Sequence, residues 1–163
     1  MNATTPPRTP DGLVGEPSSV VLLAPPTVSS LEVSGPAEAF FMAGDKLREA
    51  GRTRSRPYRV HLLSATDTPV IRSSGGLRFE VDGSFRDFRG PIDTLLIVGG
   101  IDVWTGSDVP GLRGWLQQQA GEARRYGSIC TGAFVLAEAG LLDGHFRSRR
   151  ARMAAPRGSG RGL

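Results

Sequence analysis

Three short apolar runs constrain what this chain can fold into. Ser19-Val20-Val21-Leu22-Leu23-Ala24 and Asp93-Thr94-Leu95-Leu96-Ile97-Val98 are aliphatic and β-branched without alternation, the pattern of strands buried on both faces of a parallel sheet. Between them, Tyr58-Arg59-Val60-His61-Leu62-Leu63 alternates, which predicts another strand, with His61 directed away from the apolar face. The intervening segments are long enough for crossover helices. Ser34-Gly35-Pro36 followed by Ala37, Phe40, Phe41, Gly44 and Leu47 predicts a helix capped at Ser34, with Pro36 in its first turn and a stop at Gly51. Asp108-Val109-Pro110 opens another, with Leu112, Trp115 and Leu116 on one face and an end near Arg125. Tyr126-Gly127-Ser128-Ile129-Cys130 predicts a short strand that passes directly into an apolar helix from Thr131, closed by Gly140. Residues 70–85, broken by Gly75-Gly76 and Asp82-Gly83, predict a hairpin or small meander beside the main sheet. This order of elements predicts an α/β fold with a mainly parallel sheet and right-handed crossovers.

The 163 residues fit one domain. Residues 1–17, with Pro6, Pro7, Pro10 and Pro17, bury too little apolar area to fold and predict a disordered leader. The net charge of +4 raises the question of nucleic acid, and its distribution decides it. Residues 145–163 hold six arginines and no acid, whereas residues 1–144 hold 14 basic and 16 acidic residues. That basic tail lacks helical apolar periodicity, so it predicts a disordered segment rather than a DNA-reading helix, and direct DNA binding is not expected. A single cysteine excludes an internal disulfide and a cysteine-rich zinc site, and neither a metal nor a cofactor is expected. The first apolar run, stopped by Pro25-Pro26, is too short for a signal peptide or a membrane span, which points to the cytoplasm.

Ligands in parallel α/β sheets bind at the carboxyl ends of the strands, where Gly99-Gly100 and Cys130 both fall. A cysteine between a buried strand and a helix sits on a sharp turn with the helix N-terminus aimed at its sulfur, a setting that favours the thiolate. The other reading of Cys130 is a small buried hydrophobe, since free cysteine is among the most buried residue types. Trp104, Trp115 and His61 read as packing or strand-surface residues.

Ser128-Ile129-Cys130-Thr131-Gly132-Ala133-Phe134-Val135-Leu136-Ala137, continuing through Gly140-Leu141-Leu142-Asp143-Gly144, resembles the nucleophile-elbow region of the ThiJ/PfpI superfamily, which is class I glutamine amidotransferase-like. Leu31-Glu32-Val33-Ser34-Gly35-Pro36-Ala37-Glu38-Ala39-Phe40 resembles that family's first helix entry, and residues 93–100 its strand ending in paired glycines. The resemblance covers residues 18–144 and implies a flavodoxin-like three-layer sandwich. It places Cys130 at the nucleophile or redox-reactive position and Glu32 at the acidic position that approaches the thiol. Glu32 is otherwise a solvated loop carboxylate. The backbone amides after the pair Gly99-Gly100 and at Thr131 are candidates for an oxyanion-hole-like pocket, which makes Gly99, Gly100 and Thr131 the candidate ligand-binding residues.

Within the superfamily, Tyr58 through Ala65, Ser73-Ser74-Gly75-Gly76-Leu77 and the Arg-rich loop look most like the sensing half of AraC-type transcription regulators. That branch implies a domain that binds a small molecule or forms a homodimer in the intact parent, joined to a separate pair of helix-turn-helix motifs. The alternative is an isocyanide hydratase-like enzyme with Cys130 as nucleophile. A third reading is a peroxide sensor using the same thiol. Where the family carries a histidine about twenty residues past the cysteine, this sequence has Arg150, and His145 comes too early. The abrupt change to Arg, Gly and Ala after Gly144 reads as a truncated or frameshifted domain, incomplete at its C-terminus.

Overall fold

The computed structural model describes residues 17–100, 106 and 109–143; all of the expected leader but Pro17, the basic tail, Trp104, Asp108, Gly144, His145 and Arg150 lie outside the described residues. Strand β1 (Ser18–Ala24) is buried from Val20 onward, as its unbroken apolar run requires. The short β2 (Thr27–Val28) leads into helix α1 (Ser30–Glu49).

Helix α1 begins upstream of the expected cap at Ser34, and Pro36 lies inside it. Burial explains the shift. Val33, 5% exposed, and Ala37 one turn later both pack on the sheet, so the helix gains core contacts by starting before the proline. Its end is as expected: Gly51 adopts φ +67, its N–H donates to the Arg48 carbonyl, and the Arg52 N–H donates to the Leu47 carbonyl.

Strand β3 (Tyr58–Ser64) pairs in parallel with β1. His61 points away from Val60 and Leu62, as expected, but the face it enters is apolar as well. It lies on the same face as Leu63, edge to face with Phe88 at 5.3 Å, because a strand inside a two-sided sheet has no polar face to offer. The expected hairpin occupies only part of residues 70–85. Strand β4 (Val70–Ser73) pairs antiparallel with β5 (Arg78–Glu80), and with β2 they form a small sheet in the order β2-β4-β5. Asp82-Gly83 is not a hairpin turn. The Asp82 carboxylate accepts the Leu62 N–H at 2.8 Å and its own N–H donates to the Leu62 carbonyl at 2.8 Å, which feeds β6 (Gly83–Ser84) into the main sheet beside β3.

The remaining elements are β7 (Thr94–Val98), α2 (Leu112–Glu122), β8 (Arg125–Ile129) and α3 (Gly132–Glu138). Gly111 at φ +82 sets the start of α2 beyond Val109-Pro110, and the helix stops before Arg125, which opens β8. The main sheet has five parallel strands in the order β6-β3-β1-β7-β8. The chain therefore winds outward from β1 in one direction and then in the other, which puts a topological switch point between β1 and β7.

Helix α1 and the small sheet cover one face, where Leu22, Val28, Val33, Ile71 and Val98 cluster. On the other face Val21, Leu23, Leu95 and Ile97 meet Leu112 and Leu116 of α2 and Val135 and Leu136 of α3. The result is a flavodoxin-like α/β sandwich of three layers. No helix among the described residues is long and apolar enough to cross a membrane.

Candidate functional site

Strand β8 ends at Ile129 and α3 begins at Gly132, so two residues turn the chain over the sheet edge. Cys130 makes that turn in the left-handed region, at φ 52, a conformation in which L-residues clash and which needs support from the surroundings. The support is visible at three points. The Thr131 hydroxyl donates to the Gly100 carbonyl and accepts the Gly100 N–H, each at 3.2 Å, and so fastens the turn to the end of β7. Gly99 has room for no side chain: a Cβ there would stand 2.5 Å from Thr131 Oγ1 and 2.8 Å from Thr131 N. Gly132 is more crowded still, since a Cβ would overlap the Ile97 carbonyl. Behind the turn, Gly140 at φ +75 closes α3, with the Leu141 N–H on the Leu136 carbonyl.

The thiol is exposed, so the buried-hydrophobe reading of Cys130 does not hold. Glu32 sits in the first turn of α1, which follows the carboxyl end of β1 as Cys130 follows that of β8. Nor is Glu32 a solvated loop carboxylate: it is helical, and its Oε2 is buried with no hydrogen-bond partner among the described residues. A buried, unsatisfied carboxylate oxygen is costly and marks a place where a donor is wanted. The expected site residues thus share one rim of the sheet, although Glu32 Oε2 makes no hydrogen bond to Cys130. The Gly100 N–H is taken by the Thr131 hydroxyl, and the amides after the glycine pair lie outside the described residues.

Sequence reading passed over Gly132. Its signal was a glycine at the first helical position after a strand, where the chain has no turn to make and only close approach explains the missing side chain. Trp115 packs edge to face on Phe85 at 5.5 Å, in keeping with a packing role. Among the described residues no cluster of His, Cys, Asp or Glu could hold a metal ion.

A network of charged side chains lies at the opposite rim. Arg124 grips Asp93 through two hydrogen bonds of 2.7 and 2.8 Å and holds its carboxyl below the usual range; burial opposes this, and the Thr94 hydroxyl reinforces it. Asp93 in turn raises the guanidinium's own affinity for its proton. This pair ties the start of β8 to β7 and takes no part at Cys130.

A five-stranded parallel sheet between helical layers, with an exposed cysteine at its carboxyl rim, defines a flavodoxin-like α/β domain. The sequence model of the DJ-1/PfpI family matches residues 18–148, and the chain belongs to that family. It is 42% identical over 129 residues to "Uncharacterized protein in cpoL 5'region" of Streptomyces lividans, covering 78% of this chain and 84% of that one. It is 38% identical over 105 residues to the HTH-type transcriptional regulator CdhR of Pseudomonas aeruginosa, covering 64% of this chain and 30% of the regulator. Isonitrile hydratase of Pseudomonas putida is 30% identical over 119 residues, 73% of this chain and 46% of the hydratase. The chain therefore spans under a third of CdhR and under half of the hydratase. In fold it is similar to a ThiJ/PfpI family protein from Pseudomonas syringae, with a TM-score of 0.61 at 19% identity, covering 85% of this chain and 54% of that one.

Proposed function

We propose that this chain is the ligand-sensing or dimerisation module of an AraC-type transcription regulator, with the Cys130 rim as its small-molecule site. The observation that carries this reading is the similarity to HTH-type regulators, CdhR and GbdR, over a segment that is only 30% and 28% of their length. A match confined to one part of a longer regulator is what a module joined to a separate DNA-binding part gives. In this role Glu32 Oε2 receives a donor from the ligand, Cys130 and Gly99 line its approach, and the Thr131 clasp on Gly100 keeps the turn rigid. The cytoplasm is the compartment in which such a module works.

The second reading is hydration of an isonitrile, favoured by the 30% identity to isonitrile hydratase. The Cys130 sulfur would attack the terminal carbon of R–N≡C, Glu32 would deliver the proton, and water would then displace the thiol to leave R–NH–CHO. Incubation with an alkyl isonitrile and quantification of the N-substituted formamide separates the two. The sensing module gives no formamide above the buffer control. Turnover that disappears in Cys130→Ala would replace the sensing reading with the enzymatic one.

A further inference from the structure

Between the second half of α1 and the first residues of β3 runs a groove of about 460 Å³. It lies toward the amino ends of the strands, whereas Cys130 follows the carboxyl end of β8. Its walls are aromatic. Phe40 and Tyr58 meet edge to face at 5.2 Å, and Phe41, 43% exposed, carries the Arg56 guanidinium 5.0 Å from its ring centre. Ala37 and Val60 extend the apolar lining.

The rim of the groove is cationic. Arg56 and Arg59 line it, and Arg52 and Arg54 lie in the loop that leads to it; all four are exposed, none has an ion-pair partner among the described residues, and residues 50–66 contain no acid. Asp45 also lines the groove, but its carboxylate is held by Arg48 at 2.9 Å. A run of arginines alone would be a solvated surface. Here two of them, Arg56 and Arg59, stand on the lip of an aromatic cleft whose volume falls within the ~300–1,000 Å³ of small-molecule sites, which are mostly apolar with a few fixed polar groups.

We propose that this groove binds an aromatic carboxylate, its flat body against Phe40, Phe41 and Val60 and its carboxylate on the guanidinium groups of Arg56 and Arg59. The planar fork of arginine matches a carboxylate, and the aromatic walls match a flat apolar body. The site is independent of any role for Cys130.

The test is calorimetric titration of the full chain with 2-naphthoate and with its neutral counterpart 2-naphthalenemethanol. Naphthoate should bind with an affinity that falls as salt is added, and the alcohol should bind at least about tenfold more weakly, since a hydrogen-bonded charge contributes that much. The double variant Arg56→Gln/Arg59→Gln should bring naphthoate down to the level of the alcohol, while Arg113→Gln, on the cleft between α2 and α3, should leave it unchanged. Absent naphthoate binding, equal affinity for the two compounds, or an unaffected double variant overturns the proposal. A dimer in sedimentation that is abolished by Phe41→Asp and that excludes naphthoate would give the groove to a second copy of the chain, and would overturn it equally.

Discussion

Cys130 is a residue whose backbone and side chain are at odds. The side chain needs only exposure, but φ 52 puts an L-residue where glycine is at home. This sets up a comparison between two substitutions that both remove the thiol. Cys130→Gly should be more stable than Cys130→Ala by about 1 kcal/mol, because only alanine keeps the left-handed clash. Urea denaturation of the two variants measures it, and equal midpoints would mean that the turn is relaxed rather than held. The position of Cys130 at a strand end was legible from its sequence, since an apolar run before it and helical spacing after it leave nowhere else for the turn. The strain was not. It arises from the approach of Thr131 to Gly99 and of Gly132 to Ile97, contacts between residues more than thirty apart that no local pattern encodes. Glu32 was legible only through family resemblance, because its buried oxygen depends on how α1 enters.

At the scale of elements, α1 shows how packing overrides a local signal. Proline after a Ser-Gly pair is a sound start signal, and it fails here because Val33 and Ala37 straddle it on the buried face. Pro36 lacks the N–H that would reach the Glu32 carbonyl, so the helix runs through a defect. Pro36→Ala should therefore raise stability, by about 1 kcal/mol or more given the ~3 kcal/mol penalty of an interior proline, as read from thermal or urea unfolding. No change would show that the first turn is not held as a helix in solution. The junction of β7 and β8 makes a different kind of prediction. The Asp93 carboxyl is lowered in the folded chain by Arg124, so its contribution is present above the unfolded value of about 3.9 and fades as the pH falls through the lower folded value. Asp93→Asn should lose about 1 kcal/mol at neutral pH, an amount discounted for the half-exposed guanidinium, and the gap to the unsubstituted chain should close below about pH 4. A gap independent of pH would assign Asp93 a packing role instead.

For the molecule as a whole, the parallel sheet sets the distances. The buried-strand runs and their spacing made that architecture legible, whereas the division of residues 70–85 between two sheets was not, because it turns on Asp82 pairing with Leu62 twenty residues away. All five main strands point the same way, so the Cys130 rim and the aromatic groove lie at opposite ends. A strand of seven residues such as β1 or β3 separates those ends by about 20 Å. Helix α1 reaches both, with Glu32 in its first turn and Phe40, Phe41 and Gly44 along the groove. It is held between them by Val33 and Ala37 on the sheet, and Gly44 is packed so closely that a Cβ would stand 3.2 Å from Pro57 Cδ. A ligand shifts an equilibrium only by its differential affinity for two states, and an element fixed along its length offers no second arrangement. Saturating the groove with 2-naphthoate should therefore leave the rate of Cys130 alkylation by iodoacetamide unchanged within about twofold, against the ~5-fold or greater change that allosteric coupling usually gives. A larger change, lost in Pro36→Ala, would mean that the proline lets the first turn of α1 move against the rest, and that the groove reports to the thiol through Glu32.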